Sequence, residues 1–302
     1  MNFDFGFWIL DSPTERRAPA KQETALRRVS QRLGTFALVI SLALIVAGCG
    51  PTAPTTAEEG PSQAAPAAQP SGGRQLTIGV MPKLIGIPFF NATEKGSKEA
   101  GAELGVTVVF DGPQTNDVQL QAQMIETWIA KNYDAIAVAP NDPDAIAPVL
   151  EKARRRGIKV IAWDADAKKA ARDFFVNQCT SASVARALMD VMAEGAGADA
   201  RYIIVTGSLT AANQNIWMAE MEKYRQEKYP EMKNLSETPK VSEESAELAT
   251  QVTADSLKAY PDLHGIFAIT SVALPGAAEA LRKAGAADRI FLTGLTTPND
   301  MK

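Results

Sequence analysis

Apolar positions change their spacing repeatedly along this chain. Residues 76–81 form a short apolar run, and 89–104 carry apolar residues at helical spacing. Residues 106–110 are β-branched or aromatic and end at Asp111-Gly112-Pro113, a turn sequence. Val118–Ala130 predicts a helix with Leu120, Met124, Trp128 and Ile129 near one side, and 135–139 predict a buried strand. A helix is expected over 143–156, with a proline in its first turn and Gly157 as its stop, followed by a strand over Lys159–Trp163. After a charged interruption at 166–172 the alternation resumes. Strands are expected at 174–177, 202–206, 265–269 and 289–294, and helices at 182–194, Ala212–Lys228, 242–260 and 274–283.

Repeated strand–helix units with uniformly apolar strands predict an α/β fold whose parallel sheets are covered on both faces. The break near 165–173 divides it into two Rossmann-like lobes, at 75–168 and 169–296. In such sheets ligands bind beyond the carboxyl ends of the strands. That rule selects Lys83, Asp111, Asn141, Asp164, residues 207–213, Ser271 and Thr296, a mostly polar set.

The first 74 residues have no such pattern. A basic segment with Arg27, Arg28 and Arg32 leads into an apolar run at 36–47, too short to span a bilayer comfortably and suited to an export signal. The run ends in Val46-Ala47-Gly48-Cys49, which resembles a bacterial lipobox: small residues before the cut and a thiol to carry the lipid. Residues 1–48 are therefore expected to be a signal peptide and Cys49 the lipidated residue. Acyl chains contribute about 0.8 kcal/mol per buried methylene, enough for stable anchoring when there are two or more. Residues 50–74 are rich in Pro, Ala, Thr, Gln, Ser and Gly and read as a flexible tether with a reach of roughly 25–30 Å.

Composition narrows the chemistry. The formal net charge of -4 and the absence of a basic stripe argue against nucleic acid as a partner. Two cysteines, Cys49 and Cys179, form neither a disulfide framework nor a metal pattern, and one histidine, His264, leaves little for a zinc site or a Ser/His/Asp triad. No G-x-G-x-x-G or G-x-x-x-x-G-K-[ST] follows a strand. No cofactor and no catalytic residue are expected; the chain reads as a monomeric binding protein rather than an enzyme.

Eight segments then occur in order: KLIGIPFF (83–90), GSKEAGAELG (96–105), YDAIAVAPNDP (133–143), RGIKVIAWDAD (156–166), VNQ (176–178), NQNIW (213–217), ALPGAAEAL (273–281) and TPNDM (297–301). Together they resemble periplasmic sugar-binding proteins of the ribose-binding type, closest to the autoinducer-2-binding and rhamnose-binding branch. The resemblance covers residues 76–302. It implies the periplasmic binding protein type 1 fold, in which two lobes close on a hydroxylated ligand. The implied role is capture of a monosaccharide or similar polyol outside the cytoplasm and its delivery to ABC permease subunits. The alternative is an autoinducer-2 or sugar receptor for chemotaxis or sensor signalling. It also implies C-terminal truncation: family members run on for several dozen residues, 297–302 being the start of a crossover back to the first lobe, so that lobe is expected to be incomplete.

Residue by residue, the resemblance places Lys83 where the autoinducer receptor has a ligand-binding lysine and Asp164 where the family has a carboxylate for adjacent hydroxyls. Asn213 and Gln214 fall on an Asp-Gln pair, and Phe89 and Phe90 on apolar residues that pack against ligand. Ser271 lies in Ile269-Thr270-Ser271-Val272, where the autoinducer receptor has a Pro-Asp-Ala-Asn run. That departure, and the missing carboxylate at position 213, weaken autoinducer-2 as ligand. Duller roles compete. Asp164 could cap a turn, Lys83 could be a solvated surface lysine, and one of Phe89 and Phe90 is expected in the core. Gln178 lines the hinge or caps a strand. Trp163 and Trp217 are expected in the core, Cys179 as a small buried filler and His264 as an exposed bystander.

Overall fold

A computed structural model describes residues 74–297. The expected export signal, Cys49, nearly all of the tether and residues 298–302 of the crossover lie outside the described residues. Among the described residues no helix is long and apolar enough to cross a membrane.

The first lobe comprises strands β1 (Thr77–Met81), β2 (Thr107–Phe110), β3 (Ala135–Val138), β4 (Lys159–Trp163) and β5 (Phe174–Val176). Its helices are α1 (Pro88–Leu104), α2 (Val118–Ala130) and α3 (Ala147–Arg155). The five strands pair in parallel in the order β2-β1-β3-β4-β5. The second lobe contains α4 (Ser181–Ala196), β6 (Arg201–Thr206), α5 (Ala212–Lys228), β7 (Lys233–Asn234), β8 (Lys240–Val241), α6 (Ala246–Ala259), β9 (Gly265–Ala268), α7 (Ala273–Lys283) and β10 (Phe291–Gly294). Its parallel sheet runs β10-β9-β6-β7, with β8 also paired to β6. The expected fold class is the one observed.

In the second sheet, alternation along β6 sends side chains into two separate cores. Tyr202 and Ile204 meet Met189, Trp217 and Met221 of α4 and α5. Ile203 and Val205 meet Leu274 and Leu281 of α7. The first sheet has one dense face. There Ile136, Val138 and Val160 pack on Ile125 and Trp128 of α2 and Leu150 of α3. On its other face the cross-strand row Val80, Ala137, Ile161 is half-buried, and it ends at Phe174. Phe174 and Val176 are 52% and 54% exposed.

Several expected boundaries move, each for a local reason. The lobe boundary expected at 168 does not separate the sheets, because β5 pairs with β4 and extends the first sheet to Val176. Helix α3 begins at Ala147 instead of 143. The Asp142 side chain accepts from the N–H groups of Asp144 and Ala145 and holds a separate turn, so the proline of the first turn is Pro148. Helix α6 begins at Ala246 instead of 242, with Ser245 accepting from Leu248 N–H as its cap. The two-residue strands β7 and β8 were not expected, being too short to carry a period.

Candidate functional site

The carboxyl ends of both sheets and the helix starts that follow them enclose a cavity of about 370 Å³, within the range of about 300–1,000 Å³ usual for small-molecule sites. Lys83, Phe89, Phe90, Asp164, Asn213, Gln214 and Ser271, predicted separately along 189 positions of sequence, all line it. The structure therefore brings all seven together. Asp111, also beyond a strand end, is exposed and not part of the lining. Asn141 sits behind the site: its Nδ2 donates to the Lys83 carbonyl at 2.9 Å and its N–H to Gln121 Oε1 at 3.0 Å, fixing the loop after β1.

Asp164 closes β4 in a left-handed conformation, φ 59°, with the Ala165 N–H donating to the Trp163 carbonyl at 2.7 Å. This tight three-residue turn is an uncommon conformation for a non-glycine residue, and such strain concentrates at working sites. Its effect is to aim the carboxylate inward. Asp164 is 8% exposed; Oδ1 accepts from Gln178 Nε2 at 3.0 Å and from Asn213 Nδ2 at 3.4 Å, while Oδ2 faces Lys83 Nζ at 3.8 Å. Lys83 Nζ donates to Asn213 Oδ1 at 2.9 Å. Lys83, from the first lobe, and Asn213, from the first turn of α5 in the second, thus join the lobes across the cavity floor. Burial pushes the Asp164 carboxyl above its ordinary range, Lys83 and the Gln178 hydrogen bond pull it back, and the Glu244 carboxylate pushes it up again.

The second lobe adds a polar set of its own. Gln214 Oε1 accepts from Thr206 Oγ1 at 2.5 Å and from Gly207 N–H at 2.7 Å, which leaves its Nε2 to donate to Glu244 Oε1 at 3.1 Å. Thr270 Oγ1 donates to Glu244 Oε2. Glu244 lies in the loop before α6, where it and Glu243 both have positive φ, 55° and 50°. A side chain at position 207 would collide with it: a Cβ there would stand 1.9 Å from Glu244 Oε1. Gly207 is needed for that close approach.

Aromatic and aliphatic groups form the remaining wall. Phe89 is half-buried and lines the cavity. Phe90 is 3% exposed and packs edge-on against both Phe89 and Trp163, at 5.1 and 5.7 Å between ring centres. Phe90 thus serves the core and the wall together. Trp217 does the same from the second lobe, and Cys179, expected as a buried filler, is half-buried at the cavity edge. Burial and the nearby Asp164 charge push the Cys179 thiol up. Glu244 and Thr270 were missed as site residues. Ser-Glu-Glu-Ser before an apolar-periodic stretch reads as the acidic start of a helix, and only the turn at Ser242–Ser245 places Glu244 in the cavity. Among the described residues no group of three or more His, Cys, Asp or Glu is placed to hold a metal.

The lining offers hydrogen-bond acceptors and donors together with aromatic rings from both lobes. The periplasmic binding protein domain matches residues 78–302. The D-apiose import binding protein of Actinobacillus succinogenes is 25% identical over 207 residues, 68% of this chain and 65% of that protein. The chain spans about a third of the length of the ribose import binding protein RbsB of Bacillus subtilis and of the D-xylose-binding periplasmic protein of Haemophilus influenzae, and 74% of RbsB of Salmonella typhimurium, at 25% identity. Among solved structures, LsrB of Clostridium saccharobutylicum in complex with AI-2 is 28% identical with TM-score 0.72, over 75% of this chain and 72% of that one. A solute-binding protein of Clostridium phytofermentas with bound L-rhamnose is 29% identical with TM-score 0.73, over 76% and 71%. The chain belongs to the periplasmic binding protein domain family.

Proposed function

We propose that this chain is the extracytoplasmic solute-binding component of a sugar-type ABC transporter. It captures a monosaccharide or similar polyhydroxylated molecule between its lobes and hands it to the permease. It acts as a monomeric binding protein and not as an enzyme, and it is held at the membrane through lipid on Cys49. The observation that carries the reading is the inter-lobe cavity, whose lining combines Asp164, Lys83, Asn213 and Gln214 with Phe89, Phe90 and Trp217. A sugar ring matches both sets: hydroxyls at its edge and a less polar face. Asp164 Oδ2 accepts hydroxyl protons in charge-assisted bonds that contribute roughly 1.5–3 kcal/mol each, Lys83 donates, and the phenyl rings cover the apolar face. The L-rhamnose-binding and D-apiose-importing relatives support this class. Autoinducer-2, bound by another relative, is disfavoured by the amide at Asn213 and the Ile269–Val272 run.

The test is a thermal-shift screen of the full chain with pentoses, hexoses, deoxyhexoses, polyols and autoinducer-2. A ligand specific to the folded chain raises the melting temperature with concentration. The expected result is a shift with one saccharide that disappears in Asp164→Ala. No shift with any of them, in a chain that melts cooperatively, would overturn the reading.

A further inference from the structure

Among the described residues the cavity is lined by two carboxylates, Asp164 and Glu244, and one cationic side chain, Lys83. Lys83 is already engaged with Asp164 at 3.8 Å and with Asn213 at 2.9 Å. Glu244 is 7% exposed, and the donors found on it are neutral: the Gln214 amide on one oxygen and the Thr270 hydroxyl on the other. A carboxylate has about four acceptor sites, and the donors among the described residues fill two of them, on a group that lines the cavity.

The surroundings hold Glu244 there at a cost. Two consecutive left-handed glutamates, at about 1–3 kcal/mol each, and a glycine at 207 are required to bring it in. The helix starts around the cavity contribute partial positive charge, but a further donor for Glu244 must come from whatever enters.

We propose that the ligand carries a protonated amine among its hydroxyls, an amino sugar or amino polyol, with the ammonium seated on Glu244 and the hydroxyls on Asp164 and Lys83. The proposal rests on the sugar-binding reading above and narrows it. An ammonium brings three donors and the missing charge to Glu244. A carboxylate or phosphate on the ligand would instead meet two buried carboxylates with a single lysine already taken. Glu244 is then the residue that sorts ligands by charge.

Matched triads test this on the full chain: glucose, glucosamine and glucuronate, the galactose set, and the mannose set, titrated calorimetrically. The expected result is an amino sugar binding about tenfold or more tightly than its neutral parent, with no uronate binding, and loss of that preference in Glu244→Gln. The wild-type ranking stands without the variant, should the variant fold poorly. A neutral sugar that binds as tightly as its amino counterpart, or a uronate that binds, overturns the proposal and leaves the sugar-binding reading intact. Silence across all triads and across the neutral saccharide panel overturns both.

Discussion

The two lobes divide their burdens differently. The first has one dense core face and a second face on which Phe174 and Val176 remain exposed, yet it supplies both members of the one buried ion pair of the site, Lys83 and Asp164. The second closes both faces of its sheet, yet it carries the carboxylate faced by neutral donors and two adjacent left-handed glutamates. Each lobe carries a left-handed site carboxylate, but the one without a cationic partner sits in the lobe with the larger apolar reserve. Such features persist only where the surrounding structure over-determines them. Ser242 provides that constraint for the loop that carries Glu244: its N–H and its Oγ both donate to the Thr206 carbonyl, at 2.9 and 3.0 Å, and its own carbonyl accepts from Ser245 N–H at 2.8 Å.

The comparison breaks most visibly at Lys83. Lys83→Met leaves Asp164 buried without its cation, and removing one partner of a buried pair costs about 3–5 kcal/mol. Urea unfolding at neutral pH should show that loss, and the loss should shrink as the pH falls. The sign follows from Asp164. Its carboxyl is already pushed above the ordinary 3.8 in the folded chain, mainly by burial. On acidification the folded state therefore takes up this proton before the unfolded state does, so the penalty of the buried charge, full above the folded value, is relieved as the pH falls through that value toward 3.8. Losing Lys83 removes a contribution that lowers the folded value, so it enlarges that penalty. A loss that does not vary with pH would mean that Asp164 does not depend on Lys83.

In the second lobe Gly207→Ala probes the tightest point. The added Cβ would meet Glu244 Oε1 at 1.9 Å, and overpacking of this kind costs about 1–3 kcal/mol. The thermal midpoint should fall and ligand ranking should move in the same direction as in Glu244→Gln. An unchanged midpoint would show that the glutamate yields freely. The smallest effect is expected at Ser245, which caps α6 directly after the strained glutamates. Ser245→Ala should cost about 1 kcal/mol, read as a shift in the urea midpoint without change in slope.

Much of this architecture is legible in the sequence, because period changes between 2 and 3.6 mark elements regardless of tertiary context. Helices α2 and α5 and strand β4 fall where the pattern puts them. Among the candidate site residues, Lys83, Asp164, Asn213 and Ser271 are legible from the rule that ligands sit beyond strand ends, whereas Phe89, Phe90 and Gln214 are legible only through the family resemblance. What the pattern hides is polar and local. Asp142 and Ser245 are both good capping residues, and sequence alone does not tell which turn each will hold. Glu244 looks like a helix-start acid until Glu243 and Glu244 turn left-handed. The lobe boundary was misread because the charged stretch at 166–172 interrupts the chain without ending the sheet.

The most direct test of the account is a tryptophan-fluorescence titration with the saccharide that gives the largest thermal shift. Trp217 lines the cavity and Trp163 backs Phe90, so a ligand between the lobes must alter their emission. The account predicts a saturable change in the wild-type chain and none in Asp164→Ala at the same concentrations. An equal change with unaltered affinity in Asp164→Ala would place the ligand elsewhere and contradict it.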